Sequence, residues 1–365
     1  MGSYGCSIPD RIENAGGGPF VGNLSFYHFN MIVSGASTVV VLLLTFSLMG
    51  RHAMCMTNPK EQIKIMRIIN MIPSYQVLTF ISICVPSSYI YLQGFTEVFQ
   101  GIALYAFLML LSDFLAPTDQ DKIKCFSSLE IKRQWQPKKK RNGLAFLKLT
   151  WWSVLQYPII TWIAAVAQVV TQSLDKYCLG SNSPHFSHVW LTAGTSLSTS
   201  IAVNAIIQFY VNMKKYMKEH HPLTKLLAFK LIVGLVILEK ILFLILEGVK
   251  VLQPSKTLTY VDVTMGLPQM IICVQMVPLS LLVLYAYPTK PYKNFNKSTT
   301  TALRAQEYHA IESDGDYETL MRGFQKGNQG GWLGLQAWAA YLNPIGLFMD
   351  IISAHRMMYK AGAMQ

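Results

Sequence analysis

Long stretches of this chain carry no charge, and that pattern sets the first expectation. Seven apolar runs of the length a bilayer core demands, about 20 residues, lie near Leu24–Met49, Ile68–Leu92, Phe95–Ala116, Leu149–Gln172, His188–Val211, Leu226–Glu247 and Val263–Tyr287. The first, second, fourth, fifth and seventh contain no Lys, Arg, Asp or Glu, which in a soluble helix would leave no solvated face. The third carries Glu97 and Asp113 near its ends, and the sixth carries Lys230, Glu239, Lys240 and Glu247. Gln93-Gly94 is a short enough turn to make the second and third spans an antiparallel hairpin. Pro73, Pro86, Pro158, Pro268 and Pro278 fall within spans, where each removes a backbone donor and kinks the helix. Kinked helices suit a cavity, although proline is also commoner in membrane helices generally.

Composition agrees: 52% of the 365 residues are hydrophobic and only 14% charged, too apolar for the two soluble domains such a length would otherwise imply. The net charge of +12 has a source other than nucleic-acid binding. Seventeen Lys and Arg lie in the first, third and fifth connections, against four (Arg11, Lys176, Lys250 and Lys256) in the N-terminal tail and the other three. Cytosolic loops collect cations, so the N-terminus is expected outside or lumenal and the tail cytosolic. Residues 1–23 lack the basic-then-apolar order of a cleavable signal, which makes the first span an uncleaved signal-anchor. The expected fold is an all-α integral membrane protein: an outer N-tail (1–23), a seven-helix domain (24–292), a disordered cytosolic tail (293–331) and an amphipathic helical segment (332–365).

Signatures of catalysis are missing. The sequence has no His-Glu-x-x-His, Gly-x-Ser-x-Gly or P-loop, so no enzyme, metal or cofactor is expected, and Asp113 and Asp262, near span ends, are expected to face water. Glu239 falls near the middle of the sixth span, where a carboxylate must face the bundle interior, pair or be protonated. Lys240 lies about 100° round the helix and needs its own partner, while Lys230 and Glu247 can snorkel. Amides recur in the spans at Gln76, Gln100, Gln156, Gln168, Asn204, Gln208, Gln269 and Gln275. With Glu239, Gln76, Gln100, Gln168, Asn204, Gln208 and Gln275 mark a candidate pathway for an amphipathic solute. Interhelical bonding is the competing role for such groups.

Cysteines divide by compartment. Cys6 and Cys178 fall outside and can form a disulfide, Cys55 and Cys125 sit in basic cytosolic loops open to palmitoylation, and Cys84 and Cys273 are packing residues. Unpaired, unmodified thiols are the alternative for both of the first two pairs. The run Lys138-Lys139-Lys140-Arg141 lies beside the fourth span, where cations contact anionic headgroups.

In the tail, Glu312, Asp314 and Asp316 precede Tyr317-Glu-Thr-Leu320. The arrangement resembles a tyrosine-based clathrin-adaptor signal and the docking motif for autophagy ubiquitin-like modifiers, both read as an extended peptide. Beyond Gly330-Gly331 come Trp332, Leu335, Trp338 and Tyr341. Asn343-Pro344 then opens a helix with Ile345, Phe348, Ile351 and Ile352 on one side and Asp350, Ser353, Arg356 and Lys360 on another. Such a helix lies on the cytosolic leaflet or binds a partner in a groove.

Several of these stretches together resemble the organic solute transporter alpha and transmembrane protein 184 family. They are Pro59-x-x-Gln62-x-x-Ile65-x-Arg67-Ile68-Ile69-x-Met71-x-Pro73-x-Tyr75; Gln156-Tyr157; Asn204 with Tyr210; Pro222-Leu-x-Lys225 with Phe229-Lys230-x-Ile232-Val233; and Cys273-Val-Gln275-Met276 with Ala286-Tyr287-Pro288-x-x-Pro291-Tyr292. The likeness covers about Asn23 to Tyr292. It implies facilitated movement of sterols, bile-acid-like anions or other amphipathic solutes, with a homodimer or a small single-span beta partner as associate. Fungal and plant relatives imply a vacuolar or endosomal membrane, with the plasma membrane as the other location, and a non-transporting scaffold as the other role. Phe99-Gln100-Gly101 stands where the family shows Tyr-Glu-Ala, and Gln275 where it shows Glu, leaving Glu239 as the main buried acid. A G-protein-coupled receptor, the other seven-span class, would carry Asp-Arg-Tyr after span three and Asn-Pro-x-x-Tyr in span seven, and neither is present.

Overall fold

The computed structural model describes residues 17–116, 118–133, 136–179, 183–217, 222–249, 254–292 and 330–343, together with 346, 349, 351–353, 355–356 and 359. Cys6, Tyr317, Leu320 and the stretch 293–329 lie outside the described residues, as do the side chains of Lys230, Lys240 and Glu247. Among the described residues the chain is α-helical apart from two short ribbons. β1 (Pro19–Val21) and β2 (Leu24–Ser25) lead into α1 (Phe26–Met54), followed by α2 (Pro59–Ile69), α3 (Met71–Cys84), α4 (Tyr89–Leu115) and α5 (Asp119–Ser127). The antiparallel ribbon β3 (Glu130–Arg133) and β4 (Gln136–Asn142) precedes α6 (Gly143–Ser173), α7 (Ser187–Met213), α8 (Pro222–Gly248) and α9 (Leu267–Ala286), and α10 (Leu335–Leu342) closes the described chain's regular elements. Among the described residues four stretches, Phe26–Met54, Pro86–Leu115, Gly143–Ser173 and Asp262–Tyr292, are long and apolar enough to cross a membrane.

What surrounds these helices follows from how they are turned. α1 buries Asn30, Ser34, Thr38, Thr45 and His52 while exposing Ile32, Val39, Val40, Leu43 and Phe46. Five large apolar side chains held in water would each forgo about 1.5–3 kcal/mol of burial, so water cannot be the solvent of that face. α6 repeats the inversion, burying Thr150, Thr161 and Gln168 and exposing Ile159, Trp162, Ile163, Val166 and Val170. The chain is an integral membrane protein, with hydrocarbon against the outer surface.

α4 is the axis. It packs between α3 and α6, with Ala103, Leu104, Phe107, Leu108, Leu110 and Leu111 fully enclosed. α6 also carries α7, while α1, α3 and α9 pack mutually and α8 leans on α9. The α4–α6 contact is close because Gly94 and Gly101 leave room. A Cβ on Gly94 would sit 3.0 Å from Ala165 Cα, and one on Gly101 2.8 Å from Pro158 Cα, the small-residue device of membrane helix pairs.

Two expectations are corrected. The turn between the second and third spans is not at Gln93-Gly94, which lies inside α4. It falls at Val85, Pro86, Ser87 and Ser88, where Val85 adopts the extended backbone (φ −130°, ψ 84°) that a following proline imposes. Asp113 and Asp262 do not face water. Asp113, with its side chain 9% exposed, pairs with Lys64 of α2 and, at 2.7 Å, with Lys122 of α5. Asp262 is 2% exposed and accepts from the Thr259 amide (2.9 Å) and hydroxyl (2.7 Å). Pro73 brings no N–H to the Ile69 carbonyl, and the helix is interrupted at Asn70 between α2 and α3.

The connections collect by sign of charge. α2, α5, the β3–β4 ribbon and the ends of α1, α4, α7, α8 and α9 gather at one end. There Lys64 meets Asp113, Tyr292 donates to Glu61 (3.1 Å) and the Lys225 ammonium lies 4.6 Å from the Phe114 ring centroid. The C-terminal segment closes over this basic end. Gly334 (φ +76°) presses on Ala53, Ala337 is buried, Trp338 packs against Phe46, and the His355 ring lies 5.9 and 5.7 Å from Trp151 and Trp152. Burial pushes the Tyr341 hydroxyl up to about 12, with the Arg67 charge acting the other way. Trp332, Leu333, Leu335 and Leu342 on the same segment are exposed.

Candidate functional site

Three clusters of polar groups stand out among the described residues of the spans. The first joins α8 to α9: Glu239 is 6% exposed and accepts a 2.7 Å hydrogen bond from Gln275 Nε2. α8 sets Glu239 on the side that also buries Ile232, Val233, Val236 and Phe243, whereas Leu231, Leu238, Ile241 and Ile245 are exposed. The carboxylate is therefore held inward, against the helix where the other predicted amide resides. A donated amide proton offsets part of the cost of a carboxylate away from water.

The second cluster is a seam along α1, α3 and α9. Asn30 donates to the Gly266 carbonyl (2.9 Å), Ser34 donates to Asn30 Oδ1 (2.8 Å), and Thr38 donates to the Ser34 carbonyl (2.7 Å). Gln76, fully buried, continues it: its amide sits 2.9 Å from the Thr38 hydroxyl, and turned with its oxygen toward Thr38 it donates to the Cys273 carbonyl at 3.3 Å. Gly266 ends a π-helical turn, Asp262–Gly266, at the head of α9. Such turns release a carbonyl from the regular ladder and recur at functional positions, and here Asn30 takes up the released group.

The third cluster braces α4. Tyr75 donates to Gln100 Oε1 (2.7 Å), tying α3 to α4, and Gln168 Nε2 donates to the Ile90 carbonyl (2.6 Å), tying α6 to α4. Gln156 and Ser198 clamp α6 to α7 by exchanging bonds: the Ser198 hydroxyl donates to Gln156 Oε1 (2.6 Å) and Gln156 Nε2 to the Ser198 carbonyl (3.0 Å).

The structure thus brings Glu239 and Gln275 together and sets Gln76 beside the α1 seam on α9. Gln100 and Gln168 serve helix contacts on α4. Asn204 is exposed on α7 and Gln208 is half-buried, with its carbonyl accepting from Asn212 (2.8 Å). Cys178 is buried and disulfide-bonded, whereas Cys55, Cys84, Cys125 and Cys273 are free thiols. Cys55 and Cys125 are both partly exposed at the basic end. Among the described residues no group of His, Cys, Asp and Glu could hold a metal ion. Sequence reasoning passed over Asn30, Ser34 and Thr38, although their four-residue spacing in an otherwise apolar run is a visible signal, and it passed over the Lys64, Asp113, Lys122 group.

A family model described as organic solute transporter Ostalpha matches residues 30–292. The chain is similar to Protein LAZ1 of Arabidopsis thaliana, 25% identical over 280 residues, covering 71% of this chain and 58% of that protein. It therefore spans little more than half the length of that relative. No solved structure matches the chain. The family match takes in every helix from α2 to α9 and nearly all of α1, including the seam and the Glu239 and Gln275 pair, and on that extent the chain belongs to the organic solute transporter Ostalpha family.

Proposed function

We propose that the protein is a seven-span carrier for sterol-like or other amphipathic organic solutes, moving them by facilitated transport without chemical change. α1, α3, α4, α6, α7, α8 and α9 form the spans. The N-terminus lies outside or in the lumen and the basic end with the tail in the cytosol, a reading supported by the cation asymmetry of the connections. The vacuolar or endosomal membrane is the proposed location, and membrane lipids, a second copy of the chain or a small single-span protein the proposed associates.

The observation that carries the reading is the Glu239–Gln275 pair, the carboxylate buried and the amide half-buried between two helices that expose large apolar side chains. A carboxylate retained there suits recognition of the hydroxyl or carbonyl of a solute whose body is greasy. Proteoliposomes loaded with a labelled sterol-like solute test it. Wild-type flux should fall at least about tenfold in Glu239→Gln, the loss of one charge-assisted hydrogen bond to the solute. Flux absent from both proteins would contradict the proposal.

The scaffold reading is favoured by one feature, the exposed Trp332, Leu333 and Leu335 beyond the family-matched residues. Under that reading, a Tyr317→Ala, Leu320→Ala double variant loses its adaptor or ubiquitin-like partner and mislocalises. Under the carrier reading, flux in proteoliposomes is unchanged by the same pair.

A further inference from the structure

We infer that the outer face of α7 is the contact surface for a second copy of this chain, two α7 helices crossing about a two-fold axis along the membrane normal. Taken as the span proposed above, α7 has 27 residues and no Lys, Arg, Asp or Glu. It buries Ala202, Ile206 and Phe209 against the bundle. At 100° per residue, Ser200 and Asn204 fall on the opposite side, and both are exposed, as are Thr192 and Ser196 one and two turns before Ser200. α1 and α6 turn outward Leu43, Phe46, Trp162 and Ile163 instead, the side chains that suit hydrocarbon. The Ser200 hydroxyl is satisfied by the Ser196 carbonyl of its own helix (2.8 Å). The Asn204 amide has no hydrogen-bond partner among the described residues, and an amide left so in hydrocarbon is costly.

The chemistry of the face identifies what covers it. An amide carries both donors and an acceptor, so it is answered in full by another amide at the same depth. A second copy inserts with the same orientation, and the two-fold axis brings Asn204 to Asn204, each donating to and accepting from the other. With no charge along α7, nothing on this face calls for an ionised partner helix. Ser196 and Ser200 are small enough for the two backbones to approach closely, at the crossing of about −40° that small residues four apart favour. Lys215, exposed and on the same side of the helix as Asn204, lies about 16 Å farther along the axis. There the crossed helices have splayed, and the two ammonium groups stand apart among headgroups.

Oxidative cross-linking of the full-length protein in native membranes tests the contact, with wild type as the blank for its own thiols. Ser200→Cys and Asn204→Cys should each give a covalent dimer of twice the chain's mass, whereas Ile163→Cys on the lipid-facing side of α6 should not. In liposomes, energy transfer between donor- and acceptor-labelled copies should require about tenfold more protein per lipid for Asn204→Leu than for wild type. Asn204→Gln, which keeps the amide, should restore association. Wild type that stays monomeric at every protein-to-lipid ratio would overturn the inference, as would cross-links from position 204 only to a different protein. Rapid modification of Asn204→Cys by a membrane-impermeant maleimide would overturn it together with the assignment of α7 as a span. None of these readouts involves solute flux, so a failure of the carrier function is seen separately.

Discussion

At Asp113 one carboxylate answers two ammonium groups, Lys64 and Lys122, and it does so at the point where α2, α4 and α5 converge. Removing one partner of a buried ionic group leaves the others uncompensated, which costs more than the pair itself contributes. Asp113→Asn should therefore destabilise the protein by about 3 kcal/mol, read as a lowered thermal midpoint in detergent, whereas Asp119→Asn, more than half exposed beside Lys122, should change little. A second residue-scale consequence concerns Cys125. Burial pushes its thiol up, and the thiolate is the reactive form. Alkylation of Cys125 should be slow at neutral pH and its rate should keep rising, roughly tenfold per pH unit, until pH passes about 9. A maleimide time course with peptide mapping checks this, and a rate that levels off below pH 8 would be the wrong sign.

Single elements show why some of the fold is legible in the sequence and some is not. The runs without charge read plainly as helices because hydrocarbon excludes ionised groups over their whole length, and those that became α1, α6 and α9 lie in stretches long and apolar enough to cross a membrane. The inward face of α1 did not read so easily. Thr38 and Thr45 bond carbonyls four residues back on their own helix, as Thr161, Thr171 and Ser200 do elsewhere. A hydroxyl satisfied in this way can sit against lipid or protein, so its presence does not say which way it points. The turn before α4 was misplaced for a related reason: Gly94 signals a turn in isolation, but here it grants close approach to Ala165. Gly334 is the element-scale pivot of the C-terminal segment. Its φ of +76° and the 2.8 Å spacing from a Cβ to Ala53 make Gly334→Val costly by about 1–3 kcal/mol. The expected result is release of α10 from α1, seen as faster proteolysis within 335–342, with the helices from α3 to α9 unaffected.

Across the described residues, apolar outer faces and an interior threaded with amides, hydroxyls and the Glu239 carboxylate form a consistent pattern. Sequence located Glu239 and Gln275 separately, through the rarity of an acid mid-span and the recurrence of amides. Their meeting required the packing of α8 on α9, which the spacing of polar residues within either helix does not encode. The same packing separates the amides into roles: Gln100, Gln156 and Gln168 hold helices together, while Gln76 and Gln275 lie along the α9 side. Under the proposed carrier function, that division puts the solute beside α9 and not past α4.

The most direct measurement is photolabelling of the full-length protein in nanodiscs with a diazirine-bearing sterol, mapped by mass spectrometry. Labels competed by unlabelled sterol are predicted on α8 and α9 around Glu239 and Gln275, at residues such as Val236, Ile272 and Met276, and lost in Glu239→Gln. Labels confined to lipid-facing positions such as Leu43 of α1 and Ile163 of α6, unchanged by competitor or by the substitution, would contradict the account.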